Sequence, residues 1–152
     1  MSKKFQLELI WWLVTGVVVV AVMLPIWQTM PNFPFFRANI VYILAMITFA
    51  RYAFGLEYTF LSHAMKVKMV FLLFSLLILG LFIGPLNDFQ RWWDEGDHDT
   101  IFQTIPFASR DGLSSYIKSE FSFFAIGGFL ACLWFTTRLF RSVWRQWNNE
   151  GV

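Results

Sequence analysis

Four long apolar runs, set apart by short polar stretches, constrain this chain more than any other feature. They extend from Leu9 to Trp27, from Ala38 to Phe60, from Met69 to Leu86 and from Phe121 to about Phe140. A helix rising 1.5 Å per residue needs about 20 apolar residues to cross a hydrocarbon layer ~30 Å thick, and each run is close to that length. The first carries no charge, and the second holds Arg51 and Glu57. Lipid offers the backbone no hydrogen-bond partner, so a spanning segment must close its bonds internally. None of the runs alternates as a barrel strand would. The expected fold class is therefore all-α: a single membrane domain over 1–152, built as a four-transmembrane-helix bundle. The segment 87–120 is expected to lie outside the membrane and to hold a short interfacial or periplasmic helix between the third and fourth spans.

Composition agrees. The chain is 57% hydrophobic and only 14% charged, against about 25% charged in an ordinary soluble domain. A water-soluble fold of this composition would expose large apolar patches. The first run is longer than a signal-peptide core, and Pro25, Trp27, Pro31 and Pro34 follow where a small-residue cleavage site would stand. It is expected to be a retained helix.

Basic residues set the expected orientation. Lys3, Lys4, Lys66, Lys68, Arg138, Arg141 and Arg145 fall on one side of a four-span chain, while Arg37, Arg91, Arg110 and Lys118 are diluted among acids on the other. The positive-inside bias puts both termini in the cytoplasm of a multi-pass protein, expected in the bacterial inner membrane. Aromatic belts fit this: Trp11, Trp12, Trp144 and Trp147 at the inner interface, Trp27, Trp92 and Trp93 at the outer one. The short connector Leu61 to Lys68 makes the second and third spans antiparallel neighbours.

Ionisable groups inside spans are costly and need partners. Counted to Phe60, Arg51 lies about nine residues, roughly 13 Å, from the end of its helix. Glu57, six residues on, is about 120° round and does not share its face. A polar layer of Glu8, Arg51, Glu57 and Arg138 is expected in the inner half of the bundle, with Tyr52 and Tyr58 nearby. Its plainer role is to fix packing or a subunit contact, and its sharper one is passage of ions or protons.

Between the third and fourth spans, the run Asp94-Glu95-Gly96-Asp97-His98-Asp99 offers oxygen ligands. Asp94, Asp97 and Asp99 are weak candidates for a divalent cation, since the spacing fits no calcium-loop pattern; a solvated loop or docking surface is the plainer reading. Thr100 with Gln103 could form a capping box for a short helix that Pro106 ends. Small residues four apart, Gly80 with Gly84, Gly127 with Ala131 and Gly128 with Cys132, suggest seams of close helix approach.

Little else points to chemistry. His63 and His98 sit in or beside loops on opposite sides, a poor arrangement for haem, and the lone Cys132 cannot build a cluster. No hydrolase elbow, zinc-protease motif or phosphate loop occurs, and no basic stripe suggests nucleic acid. No cofactor or catalytic residue is therefore assigned. Nineteen phenylalanines and eight tryptophans give adhesive surfaces, since aromatics are enriched in interface cores. The function expected is a non-catalytic accessory or structural subunit of a larger bacterial inner-membrane complex, its partners the lipid bilayer and other integral membrane subunits. The alternative is a small oligomeric transporter or ion channel using the Arg51/Glu57 layer. A third, weaker reading is a membrane enzyme using the segment from Asp88 to Asp111.

Overall fold

The computed structural model describes residues 3–56, 59, 61, 65–103 and 105–150, though not the side chains of Lys3, Lys4, Asp97, His98, Asn149 and Glu150. Glu57, Tyr58 and His63 lie outside the described residues, as do the side chains of Asp97 and His98. The elements are α1 (Lys3–Thr29), α2 (Phe36–Gly55), α3 (Met65–Asp94), α4 (Asp97–Phe102) and α5 (Phe107–Glu150). The architecture is all-helical, and α1, α2, α3 and α5 are each long and apolar enough to cross a membrane.

Several helices run further, or less far, than hydropathy alone suggests. Helix α2 ends at Gly55, so Arg51 stands four residues from its end, about 6 Å and not 13 Å. Helix α3 continues without a break through Asp88 to Trp93, so the start of the segment 87–120 forms its last two turns. Helix α5 begins at Phe107 and is 44 residues long, about 66 Å. That is about twice the thickness of a hydrocarbon layer of ~30 Å. The segment outside helix between α3 and α5 thus shrinks to a few residues on either side of α4. Helix α4 starts at Asp97, with Gly96 as its N-cap at φ +80 and no side-chain cap. Thr100 therefore lies inside this helix, and no capping box with Gln103 forms. A left-handed backbone at position 96 suits glycine, which has no Cβ to clash.

Helix α5 is the centre of the bundle. Both α2 and α3 pack chiefly on it, while α1 rests on α2 and α4 on α3. The second and third spans are therefore not each other's main neighbours: α5 takes that place. Adjacent glycines show how. A methyl at Gly127 would fall 2.7 Å from Sδ of Met46 on α2, and one at Gly128 would fall 2.8 Å from the Phe82 ring on α3 and 3.4 Å from the Tyr42 carbonyl. These positions let two helices approach α5 closely on neighbouring faces.

Prolines inside α1 and α3 each remove the donor for the carbonyl four residues back, that of Ala21 or Leu81. Tyrosines from other helices bond the next carbonyl along in each case. Tyr116 on α5 donates to the carbonyl of Val22, three residues before Pro25, at 2.9 Å. Tyr42 on α2 donates to the carbonyl of Phe82, three residues before Pro85, at 2.7 Å.

The buried side chains form two clusters. One includes Met23 and Ile26 of α1, Tyr42 and Ile43 of α2, Phe82 and Phe89 of α3, and Phe121 and Ala125 of α5. It lies at the end of the bundle near α4, here the aromatic end. The other holds Phe49, Ala53, Leu56 and Leu61 with Ala131, Cys132, Phe135 and Leu139. It lies at the terminal end, where α1 starts and α5 stops, and has no buried residue from α1. A hydroxyl seam supports it: the Thr136 hydroxyl is 2.9 Å from Oγ of Ser75.

Candidate functional site

On the first half of α1, Leu9, Leu13, Val14 and Val17 are exposed, and on α2 Phe54 is 66% exposed. A groove of about 900 Å³ is lined by both helices. Its walls include Trp11, Val14 and Val18 from α1 and Met46, Ile47, Ala50 and Phe54 from α2. Glu8 and Arg51 also line it, and it continues past them to Phe5, Gly55 and Thr59.

The two charges pair with each other across the groove. Nη2 of Arg51 lies against Oε1 of Glu8, with side chains 13% and 29% exposed. The Tyr52 hydroxyl is 3.5 Å from the other Glu8 oxygen, a weak contact at best. The guanidinium carbon also sits 5.6 Å from the Trp11 ring and 5.1 Å from the Tyr52 ring, within the range of cation–π attraction. Arg51 is thus held by one carboxylate and two aromatic faces, and little of its surface remains for a further ligand.

Arg138 does not join that pair. Its Nη1 donates to the carbonyl of Ala53 and, at 3.4 Å, to that of Phe54. These are among the last carbonyls of α2, which have no partner within the helix, and a cation there both bonds them and suits the helix dipole. Of the expected layer, the described residues thus show an α1–α2 ion pair and an α5 cap on α2, while Glu57 lies outside them. At the same end, buried Lys68 donates to Oε1 of Gln146 at 2.9 Å and ties the start of α3 to the end of α5.

Other positions singled out in the sequence fall in varied places. Gly80 and Gly84 face outward: a methyl at either would meet nothing within 4 Å. They do not form a seam inside the bundle, unlike Gly127 and Gly128. Trp11, Trp12, Trp27, Trp144 and Trp147 are exposed, whereas Trp92 and Trp93 are half-buried. Trp92 packs on Phe33 and Phe35, and Trp93 on Phe89 and Phe102. Phe89 and Phe121 stack at 3.9 Å beneath them. Asp94 ends α3 and Asp99 lies in α4; among the described residues no three His, Cys, Asp or Glu converge as metal ligands.

One pair escaped sequence reasoning. Asn39 and Glu120 meet between α2 and α5 with Nδ2 of Asn39 donating to Oε2 of Glu120 at 2.7 Å. Asn39 is wholly buried and Glu120 is 7% exposed. The available signal was position: each stands at the edge of an apolar run, Asn39 just inside the second and Glu120 immediately before the fourth.

Comparison of the chain with protein-family models, curated proteins and solved structures gave no match.

Proposed function

We propose that the chain is a multi-pass membrane protein that acts as a non-catalytic subunit of a larger membrane complex, with a helix of a partner subunit seated in the α1–α2 groove. The groove is the observation that carries this reading. It is open, its walls are largely apolar, and its charged residues already neutralise each other. Such a surface fits a hydrophobic helix better than a charged solute. Large side chains line its rim, and Ala50 and Gly55 let a neighbouring backbone approach, as small residues do between membrane helices. The outward-facing Gly80 and Gly84 on α3 offer a second face of the same kind.

Passage of ions along Arg51 and Glu57 is the competing reading. The pairing of Glu8 with Arg51 in a largely apolar groove favours docking over conduction, because a conducting path would need these groups to face a hydrated interior. The orientation that best suits the basic residues keeps both termini in the cytoplasm, with the bacterial inner membrane as the setting. Here α4 and the acidic turn before it form an external docking segment.

Purification of the tagged chain in mild detergent tests the reading. Stoichiometric membrane polypeptides lost on Val14→Arg or Ala50→Trp, with the chain still folded, are the expected result. A pure monomer or homo-oligomer would contradict it.

A further inference from the structure

We propose that the Asn39–Glu120 pair is a proton-binding site, in which Glu120 is held as the neutral acid and locks α2 to α5 at the aromatic end. A count of hydrogens leads there. The amide gives one N–H to Oε2 of Glu120. The two remaining oxygens, Oδ1 of Asn39 and Oε1 of Glu120, are both buried and both lack a partner. They are acceptors, and the pair is short of one donor. A carboxylic acid carries an O–H donor that a carboxylate lacks. With that hydrogen, the acid and amide can satisfy each other at two points. Reversing the amide does not change the count, since it only exchanges which oxygen needs the proton.

Charge gives the same answer. A buried carboxylate without a cation is strongly disfavoured, whereas the neutral acid is not. No Lys, Arg or His among the described residues is within ion-pair distance of Glu120. On α2 the nearest cation in sequence, Arg37, is exposed. On α3, Asp88 and Arg91 are exposed. On α5 itself, Lys118 places its Nζ over the Trp93 ring at 5.3 Å, and Tyr116 spends its hydroxyl hydrogen on Val22. The described part of α1 brings only Met23, Ile26 and other uncharged residues to this cluster.

Loss of the proton would leave a buried charge and no donor for Oδ1, so the folded state binds a proton that the unfolded chain has released at neutral pH. Stability from this site is present at low pH and is lost as pH rises. The test compares thermal unfolding of wild type and Glu120→Gln in the same detergent across pH 5 to 9. Gln copies the neutral acid, with its NH2 in place of the O–H. The expected result is that the variant comes closest to wild type at the acid limit and gains on it as pH rises, by about 3–5 °C for each pH unit while the folded acid keeps the proton that the unfolded chain has lost, and by no more once the folded acid ionises. A difference that stays flat across the range, or a variant less stable at every pH, overturns the proposal. Infrared spectra of the wild type alone give a second test. A carbonyl band of a protonated carboxyl, shifted in heavy water and present at pH 7, is expected; its absence would overturn the assignment even if the variant fails to fold.

Discussion

The two ends of this bundle use the same kinds of residue for different ends. At the aromatic end, all four long helices contribute buried side chains to one cluster, and Phe89, Phe121, Trp92 and Trp93 fill it. At the terminal end, α1 contributes none, and a groove takes the place of packing. Among the described residues, each end has an acidic side chain paired across helices. Glu120 is buried against an amide, while Glu8 is partly open and set against Arg51. In the proposed reading the packed end holds the fold together and the open end takes a partner. Lipid does not drive apolar helices together as water does, so an apolar groove costs the isolated chain little.

The largest contrast should come from truncating rings. Phe121→Ala removes a fully buried ring stacked on Phe89 and is expected to destabilise by about 3–5 kcal/mol. Phe54→Ala, at the groove, is expected to cost less than ~1 kcal/mol in the isolated chain. Unfolding of both in one detergent decides; equal costs would erase the distinction between the ends.

Glycines give the next contrast. Gly128→Leu must displace Phe82 and crowd the Tyr42 carbonyl, and is expected to cost about 2–3 kcal/mol. Gly84→Leu meets open space and is expected to leave the isolated chain's unfolding temperature unchanged. A loss of stability at Gly84 would show that this face is already covered within the chain.

Charges at the open end should matter less. Arg138→Ala deprives the last carbonyls of α2 of their donor and is expected to cost about 1.5–3 kcal/mol. The Glu8–Arg51 pair is partly exposed, and either residue changed to Ala is expected to cost up to ~1 kcal/mol. The exchange Glu8→Arg with Arg51→Glu should recover most of what either single reversal loses.

The number and class of the helices were legible because apolar runs of spanning length leave few alternatives. Their extents were not. Asp88, Gln90 and Arg91 open the segment 87–120 expected outside the third span, yet Phe89, Trp92 and Trp93 pack inward and α3 runs through to Asp94. The small-residue pattern gave the right spacing twice but no direction: Gly127 and Gly128 face helices, while Gly80 and Gly84 face outward. Spacing fixes which residues share a helix face, and only the neighbours decide which way that face points. Arg51 and Glu8 could be singled out because charge stands out in an apolar context. Asn39 and Glu120 could not, because at the edge of a span a polar residue is ordinarily solvated.

Site-specific photocrosslinking in native membranes tests the central claim most directly. A photoreactive residue placed at Val14 or Phe54 in the groove, and at Phe123 as an exposed position toward the aromatic end, reports what covers each surface. The account predicts one discrete adduct from Val14 and Phe54, with a membrane polypeptide that also copurifies in fixed stoichiometry, and none from Phe123. Lipid adducts alone from the groove, or the same polypeptide captured equally at all three positions, would contradict it.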